Sequence, residues 1–377
     1  MGDVLLLGNS MIKKILLIVL VLLILALIYP GCAVWREIGQ TPKGERLDRI
    51  RQSPHYNAEK EEFVNLTPIE GVMNDSEEGS GIADFLFGKH PDVIPAHPLP
   101  VVKTDLRAID RNVDIVVWLG HSTVYIQLDG VRYLFDPILT SGFPVSVMMK
   151  PFRGTNVYSP DDIPDIDYLI ITHDHWDHLD YKTVSDIRDR VRHVVCGLGI
   201  GQHFEYWGYD PAKIHELDWY EDWTVNPTTT IHCLPSQHFS GRLGGNKTLW
   251  ASYLIDGKKK IFVMGDGGYD GRFSKFAEKY PNIDLAIMEN GQYNEGWKAI
   301  HLLPQQLSDA IDELHPTHVL TYHHAKFKLS VHTWYEPLEN IYNNSRGKPY
   351  HLLTPQIGQI IDIHAPIADE PWWRDEI

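Results

Sequence analysis

Cysteine is scarce in this chain. Only Cys32, Cys196 and Cys233 occur in 377 residues, too few for a disulfide framework, so cysteine usage does not identify a compartment. Positive charge is also in short supply: 34 Lys and Arg stand against 50 Asp and Glu, a net charge of −16. Phosphate-backbone binding needs a basic footprint, so this balance argues against a nucleic-acid partner. No internal repeat or long low-complexity run interrupts the chain. Long apolar runs are missing too, with one exception. Residues 15–29 are apolar throughout, and Ala33, Val34 and Trp35 extend the span towards bilayer thickness. A helix apolar on every side needs lipid or a very large core. Two readings follow. One is a membrane-associated protein with a single N-terminal anchor, Tyr29 and Trp35 lying at the interface. The other is a signal segment with Lys13 and Lys14 as its basic end, leaving a secreted protein or a lipoprotein at Cys32.

The remaining length suffices for one large layered domain. Residues 1–35 read as anchor or signal. Residues 36–100 are polar, rich in Pro, Gly and acid, and read as a wrapping arm with a short helix near residues 44–54. Residues 101–377 read as the globular domain. There, apolar stretches at 113–118, 123–128 and 131–135 alternate as strands, with Asp129-Gly130 as a tight hairpin turn. Further strands are expected at 163–171, 193–196, 228–234, 248–255, 260–264, 283–288 and 318–322. Helices are expected at 181–192, 199–208 and 304–314. The apolar loop 143–152 reads either as packed core or as an adaptable lip for an acyl chain.

The chemistry concentrates in Thr172-His173-Asp174-His175-Trp176-Asp177-His178-Leu179-Asp180, directly after an apolar strand. His173 and His175 are two apart, so in extended backbone they point the same way and can hold one metal. Asp177 and His178 follow where the chain bends and can reach a second. So dense a set of imidazole and carboxylate donors suits Zn²⁺ or a similar first-row ion. Other donors recur at expected strand ends, namely His238, Asp266 and His323, which is where sites collect in layered α/β folds. Asp174 and Asp180 read as hydrogen-bonding or capping groups, Trp176 and Tyr269 as packing, and His90, His203 and His332 as surface residues. Gly267-Gly268 reads as a sharp turn after Asp266.

The H-x-H-x-D-H run, the distant His, the Gly-Asp and the final His resemble the metallo-β-lactamase superfamily. That resemblance implies an α/β fold, a four-layer αββα sandwich, here with an N-terminal hydrophobic helix, and a hydrolase domain over 101–377. It implies two Zn²⁺ per chain. His173, His175 and His238 would hold one; Asp177, His178 and His323 the other; Asp266 would bridge. His323 is preferred to His324 because the family's final His precedes an aromatic and then a small residue. Within the superfamily, Trp118-Leu119-Gly120-His121-Ser122-Thr123, Asp136-Pro137, Ser236-Gln237-His238, Gly265-Asp266-Gly267-Gly268-Tyr269 and His301-Leu302-Leu303-Pro304 resemble the N-acylphosphatidylethanolamine-hydrolysing phospholipases D and their bacterial relatives. The resemblance implies a phosphodiesterase acting on a phospholipid at a membrane. Asp177 and Asp266 would serve catalysis, with His121 and His301 as supporting or substrate-binding groups. The loop Met288-Glu289-Asn290-Gly291-Gln292-Tyr293 departs from the family by its polarity. Competing expectations are a lactonase, thioesterase or β-lactam hydrolase on the same cage, an iron redox centre, or a metal-binding protein without activity.

Overall fold

A computed structural model of the chain describes residues 34–69, 88–140, 149–242, 244–367 and 370–377. Two seven-stranded mixed sheets form its centre. In spatial order the first runs Ile360–Asp362, Ile115–Trp118, Val124–Leu128, Val131–Phe135, Ile166–Ile171, Val191–Gly197 and Ile214–Leu217. The second runs His351–Leu353, His318–Tyr322, Leu285–Glu289, Lys260–Val263, Ala251–Asp256, Thr229–Pro235 and Asp222–Asn226. In each sheet, an antiparallel meander passes into parallel strands joined by crossovers. Asp129 and Gly130 both take positive φ, 51° and 75°, as a hairpin turn matched to strand twist requires.

Side-chain alternation builds the layers. Cys233, Tyr253, Ile255, Ile261, Val263, Ile287 and Tyr322 enter the core shared with the first sheet. Their neighbours Leu234, Leu254, Phe262, Met264, Ala286, Met288 and Val319 face the opposite way, into a cluster with helical residues. Helices Phe273–Lys279, Pro304–Leu314 and Glu336–Asn344 supply that outer cover. Pro304 opens the middle helix, and the Gln306 side chain accepts the Leu303 N–H at 2.9 Å. Leu307, Ala310, Ile311 and Leu314 line its buried stripe, and left-handed His315 ends it. Tyr181–Ile187 and Gly201–Tyr206 pack beside the first sheet.

Several expectations need correction. No helix among the described residues is long and apolar enough to cross a membrane, so the expected membrane-associated localisation is not sustained. The apolar segment 15–29, with the N-terminal hydrophobic helix expected there and its signal or lipoprotein alternative, lies outside the described residues. The helix expected over 181–192 stops at Ile187; after one 3₁₀ turn, Val191 begins a strand beside Ile166–Ile171. Strands Ile214–Leu217 and Asp222–Asn226 were not expected, nor were helices Phe273–Lys279 and Glu336–Asn344. In the apolar loop, residues 141–148 lie outside the described set, while Met149 packs on Ile138 and Phe327.

The arm docks on the body. Ile50 and Phe63 enter the main core. Arg46, in helix Glu45–Ile50, pairs with buried Glu216, whose other oxygen accepts the N–H groups of Gly199 and Gly201 at 2.8 and 2.9 Å. Removing one partner of a buried pair strands the other charge. Arg46→Ala is expected to cost roughly 2 kcal/mol, below the fully buried value because Glu216 keeps two N–H donors. Chemical denaturation checks this; an unchanged midpoint would show that the arm's docking does not depend on the pair.

Candidate metal centre

Strand ends from both sheets converge at one edge. Ile166–Ile171 leads into His173, His175, Asp177 and His178; Thr229–Pro235 into His238; Lys260–Val263 into Asp266; His318–Tyr322 into His323; and Ile115–Trp118 into His121. Backbone bonds tie the two edges together: His323 N–H to His121 C=O at 3.0 Å and Ala251 N–H to Thr172 C=O at 2.8 Å. His121 and His323 hold positive φ, 52° and 71°, a conformation costing about 1–3 kcal/mol each that the surroundings must impose.

Two donor sets result. His173, His175 and His238 form one; His121, Asp177, His178 and His323 form another. In the first, His238 Nε2 lies 3.1 Å from His175 Nδ1. In the second, His178 Nε2 and His323 Nε2 lie 3.2 Å apart, and His323 Nε2 is 3.3 Å from Asp177 Oδ2. Asp266 stands between the sets. Its Oδ2 is 3.2 Å from His178 Nε2, 3.3 Å from His323 Nε2, and 3.9 Å from both His173 Nε2 and His238 Nε2. Donor atoms about 2.1 Å from a shared zinc would be roughly 3.4 Å apart, so this spacing fits a cation within each set.

Unsatisfied atoms point to the same fit. His173 Nε2 and Asp266 Oδ1 are buried without a hydrogen-bond partner. A buried donor or acceptor left unpaired is costly, and a cation would satisfy both. The electrostatics agree. Burial opposes charge on His178, yet Asp266, Asp136 and Asp177 raise its pKa well above the usual imidazole value. Burial likewise opposes ionisation of Asp177 and Asp266, yet His178 in each case helps hold them well below the carboxylate range. Burial, then neighbouring imidazoles, depresses His173 and His238, leaving them neutral as ligands must be. The donor chemistry is that of divalent first-row ions, zinc or iron.

Several of these groups are braced from behind. Asp136 Oδ2 lies 2.8 Å from His178 Nδ1, and Asp136 also accepts the Thr172 N–H at 2.8 Å and its hydroxyl at 2.6 Å. A carboxylate behind a ligating imidazole fixes its ring. His238 Nδ1 is 3.0 Å from the Ile300 carbonyl. His121 Nε2 is 3.0 Å from Asp177 Oδ2. His301 Nδ1 meets Glu289 Oε1, and Glu289 Oε2 accepts the Gly267 N–H at 3.2 Å. Burial alone would depress His301; Glu289 outweighs it and raises the pKa to about 9.

All seven residues expected as ligands thus meet at one edge, with His121 and His301 beside them. His324 turns away to pack on Trp118, its ring centroid 4.8 Å from the indole's, while His323 Nε2 faces Asp177 and Asp266. Asp180 caps helix Tyr181–Ile187. His203, expected at the surface, is buried, with Nε2 3.3 Å from Asp174 Oδ2. His332, expected there too, is half-buried and accepts the Gln292 N–H at 2.8 Å. Gly267 and Gly268 do not turn at positive φ; Gly265 does, at 67°. Gly268 is needed for close approach, since a Cβ there would lie 2.1 Å from the Ala299 carbonyl oxygen. Sequence reasoning gave Asp136 and Glu289 no role. The signal for Asp136 was a carboxylate ending a strand beside the donor-bearing one; for Glu289 it was an acid within an apolar strand.

A layered α/β protein with buried clusters of His and Asp able to hold divalent metal is the class that fold and site define. A family profile described as "Beta-lactamase superfamily domain" matches residues 131–324. An uncharacterized protein of Mycobacterium tuberculosis is 33% identical over 333 residues, covering 86% of this chain and 88% of that one. N-acyl-phosphatidylethanolamine-hydrolyzing phospholipase D 1 of Caenorhabditis elegans is 34% identical over 209 residues, 50% of this chain and 57% of that one. The solved isothiocyanate hydrolase from Delia radicum gut bacteria shares the fold, with a TM-score of 0.53 at 18% identity over 67% of this chain and 100% of that one. The chain belongs to the metallo-β-lactamase superfamily, and it is a hydrolase of that fold.

His173→Ala and Asp266→Ala are each expected to lower bound metal by at least one ion per chain while the far-ultraviolet spectrum is retained. Wild-type metal content in both variants would overturn the ligand assignment. Because imidazole must be neutral to ligate and His178 holds its proton above the usual imidazole range, metal binding must displace that proton, so affinity should rise as pH is raised. Metal titration at several pH values checks the sign.

Proposed function

We propose that the chain is a dinuclear, zinc-dependent phosphodiesterase of phospholipase D type, acting on N-acylphosphatidylethanolamine-like lipids. The observation that carries this reading is the cavity over the donor cage. It is about 210 Å³, and its lining combines His175, Asp177, Asp266, Gln292, His301 and His323 with Phe239, Trp297, Ile300 and Leu329. Polar donors meet an apolar wall there, as a phosphodiester joined to acyl chains requires. The volume suits the phosphodiester and its nearest carbons, with the chains extending outwards. The likeness to the C. elegans phospholipase supports the same substrate class.

The polar loop at 289–293 does not weaken this reading. Asn290 Nδ2 donates to the Pro337 carbonyl at 3.0 Å. Gln292 Nε2 donates to the His323 and Phe327 carbonyls, each at 3.2 Å, and Gln292 Oε1 accepts the Leu329 N–H at 2.9 Å. Asn290 thus braces the protein, and Gln292, which also lines the cavity, has both ends of its amide engaged by backbone groups.

Paired zinc ions in such a cage supply Lewis acidity and lower the pKa of a bound water to about 7. His173, His175 and His238 would hold one ion and Asp177, His178 and His323 the other, with Asp266 between them. His301, held through Nδ1 by Glu289, can present its remaining nitrogen to a phosphate oxygen or to the leaving group. His121 keeps Asp177 oriented. Glu289 and Asp136 act from behind, by fixing the rings of His301 and His178.

The test is the zinc-loaded protein against N-acylphosphatidylethanolamine in mixed micelles, with a lactone, a thioester and a β-lactam in parallel. Release of phosphatidic acid and the N-acylethanolamine is expected, falling about 10²–10⁴-fold in His301→Ala. No phosphatidic acid at any pH, with turnover of another substrate, would remove the lipid assignment and leave the hydrolase. Iron-loaded protein outperforming zinc-loaded protein would remove zinc.

A further inference from the structure

The residues that brace His178 and His323 come from the sheets and their loops. His238 is supported differently. It lies beyond the end of strand Thr229–Pro235, so its backbone groups have no ladder partner. The Asn65 side chain takes that place. Asn65 Nδ2 donates to the His238 carbonyl at 2.8 Å, and the His238 N–H donates to Asn65 Oδ1 at 3.1 Å. Trp250 Nε1 donates to the same Oδ1 at 3.0 Å and so fixes the amide. Next to it, Gln237 Nε2 donates to the Thr67 carbonyl at 3.1 Å. Only a carboxamide offers a donor and an acceptor in this geometry; a carboxylate lacks the donor.

The same arm touches the other loop of this donor set. Gln40 N–H donates to His203 Nδ1 at 3.1 Å, and His203 Nε2 faces Asp174, between His173 and His175. Arg242 spans the two, donating to the Glu37 carbonyl at 2.8 Å and the Asp174 carbonyl at 2.9 Å. Its guanidinium also lies 4.0 Å from the Trp176 ring centroid.

We infer that Asn65 is a positioning residue, through which the N-terminal arm completes the His173, His175 and His238 metal position. This rests on the reading that these three imidazoles hold metal. It deepens that reading by making the two positions unequal. The position built on Asp177, His178 and His323 has its own supports in Asp136 and Gln292. The position built on His238 depends on a separate segment more than 170 residues away in sequence.

The experiment is Co²⁺ titration of the full chain, following the visible bands that report coordination geometry. Wild type should fill two positions. Asn65→Leu keeps the volume and loses both bonds; it should weaken one position 10–100-fold, the loss typical of removing a support behind a ligand, and leave the other unchanged. Asn65→Asp keeps the acceptor and should fall between. Arg49→Ala removes arm contacts to the Glu216 carbonyl and to Glu221; it should lower Tm without altering either position. Two wild-type affinities in folded Asn65→Leu would overturn the inference. Should that variant not fold, two wild-type affinities in Asn65→Asp would do so. Equal weakening of both positions would also overturn it, as a general loosening. Wild type that binds no Co²⁺ would instead fail the metal reading itself.

Discussion

Asp266 is the point on which the structure turns. Its carboxylate is buried between two clusters of imidazoles, with Asp177 and Asp136 close by. Removing such charges from water costs several kcal/mol each, and the protein returns this only where opposite charge is within reach. Burial opposes charge on His178, yet Asp266, Asp136 and Asp177 raise its pKa well above the usual imidazole value. To divalent metal the same geometry would offer neutral nitrogen and anionic oxygen donors. The cage is therefore anionic by construction, and the fold keeps it so against the pull of burial.

The layered architecture makes that concentration possible. Two sheets stack face to face, and their strands release loops at a common edge, so each donor leaves a rigid strand end a few residues before it is needed. Behind two of the donors is a partner from another element: Asp136 behind His178 and the Ile300 carbonyl behind His238. These partners fix ring orientation, which backbone placement alone leaves open. The positive φ at His121 and His323 shows the same priority, with local backbone energy yielding to side-chain direction.

The cavity wall is where this member of the superfamily acquires its own character. Trp297 and Ile300 come from the segment that also carries His301, so one stretch of chain supplies both apolar wall and histidine. Glu289 joins that stretch to the sheet. The amides of Asn290 and Gln292 are tied to backbone groups of neighbouring segments, and Gln292 also lines the cavity.

The four donors of the H-x-H-x-D-H run were legible by short-range spacing, which needs only extended backbone and a bend, whereas His238, Asp266 and His323 entered the set through the family resemblance. Strands with clear period-two alternation were legible too, from Val131–Phe135 to His318–Tyr322, as was the helix Pro304–Leu314 with its opening proline. Elements with weak apolar patterning escaped notice, Asp222–Asn226 among them, because it is a partly exposed edge strand held by pairing with its neighbour. His203 looked like surface for the same reason: its burial comes from the arm and the Asp174 loop closing over it. Partnership across distant segments belongs wholly to the tertiary structure. Nothing in the local sequence says that Asp136 backs His178, that Glu289 holds His301, or that an asparagine in the arm grips His238. Local spacing identified the donors of the H-x-H-x-D-H run, while their meeting with His238, Asp266 and His323, and the support behind them, depend on contacts that exist only once both sheets and the arm have packed.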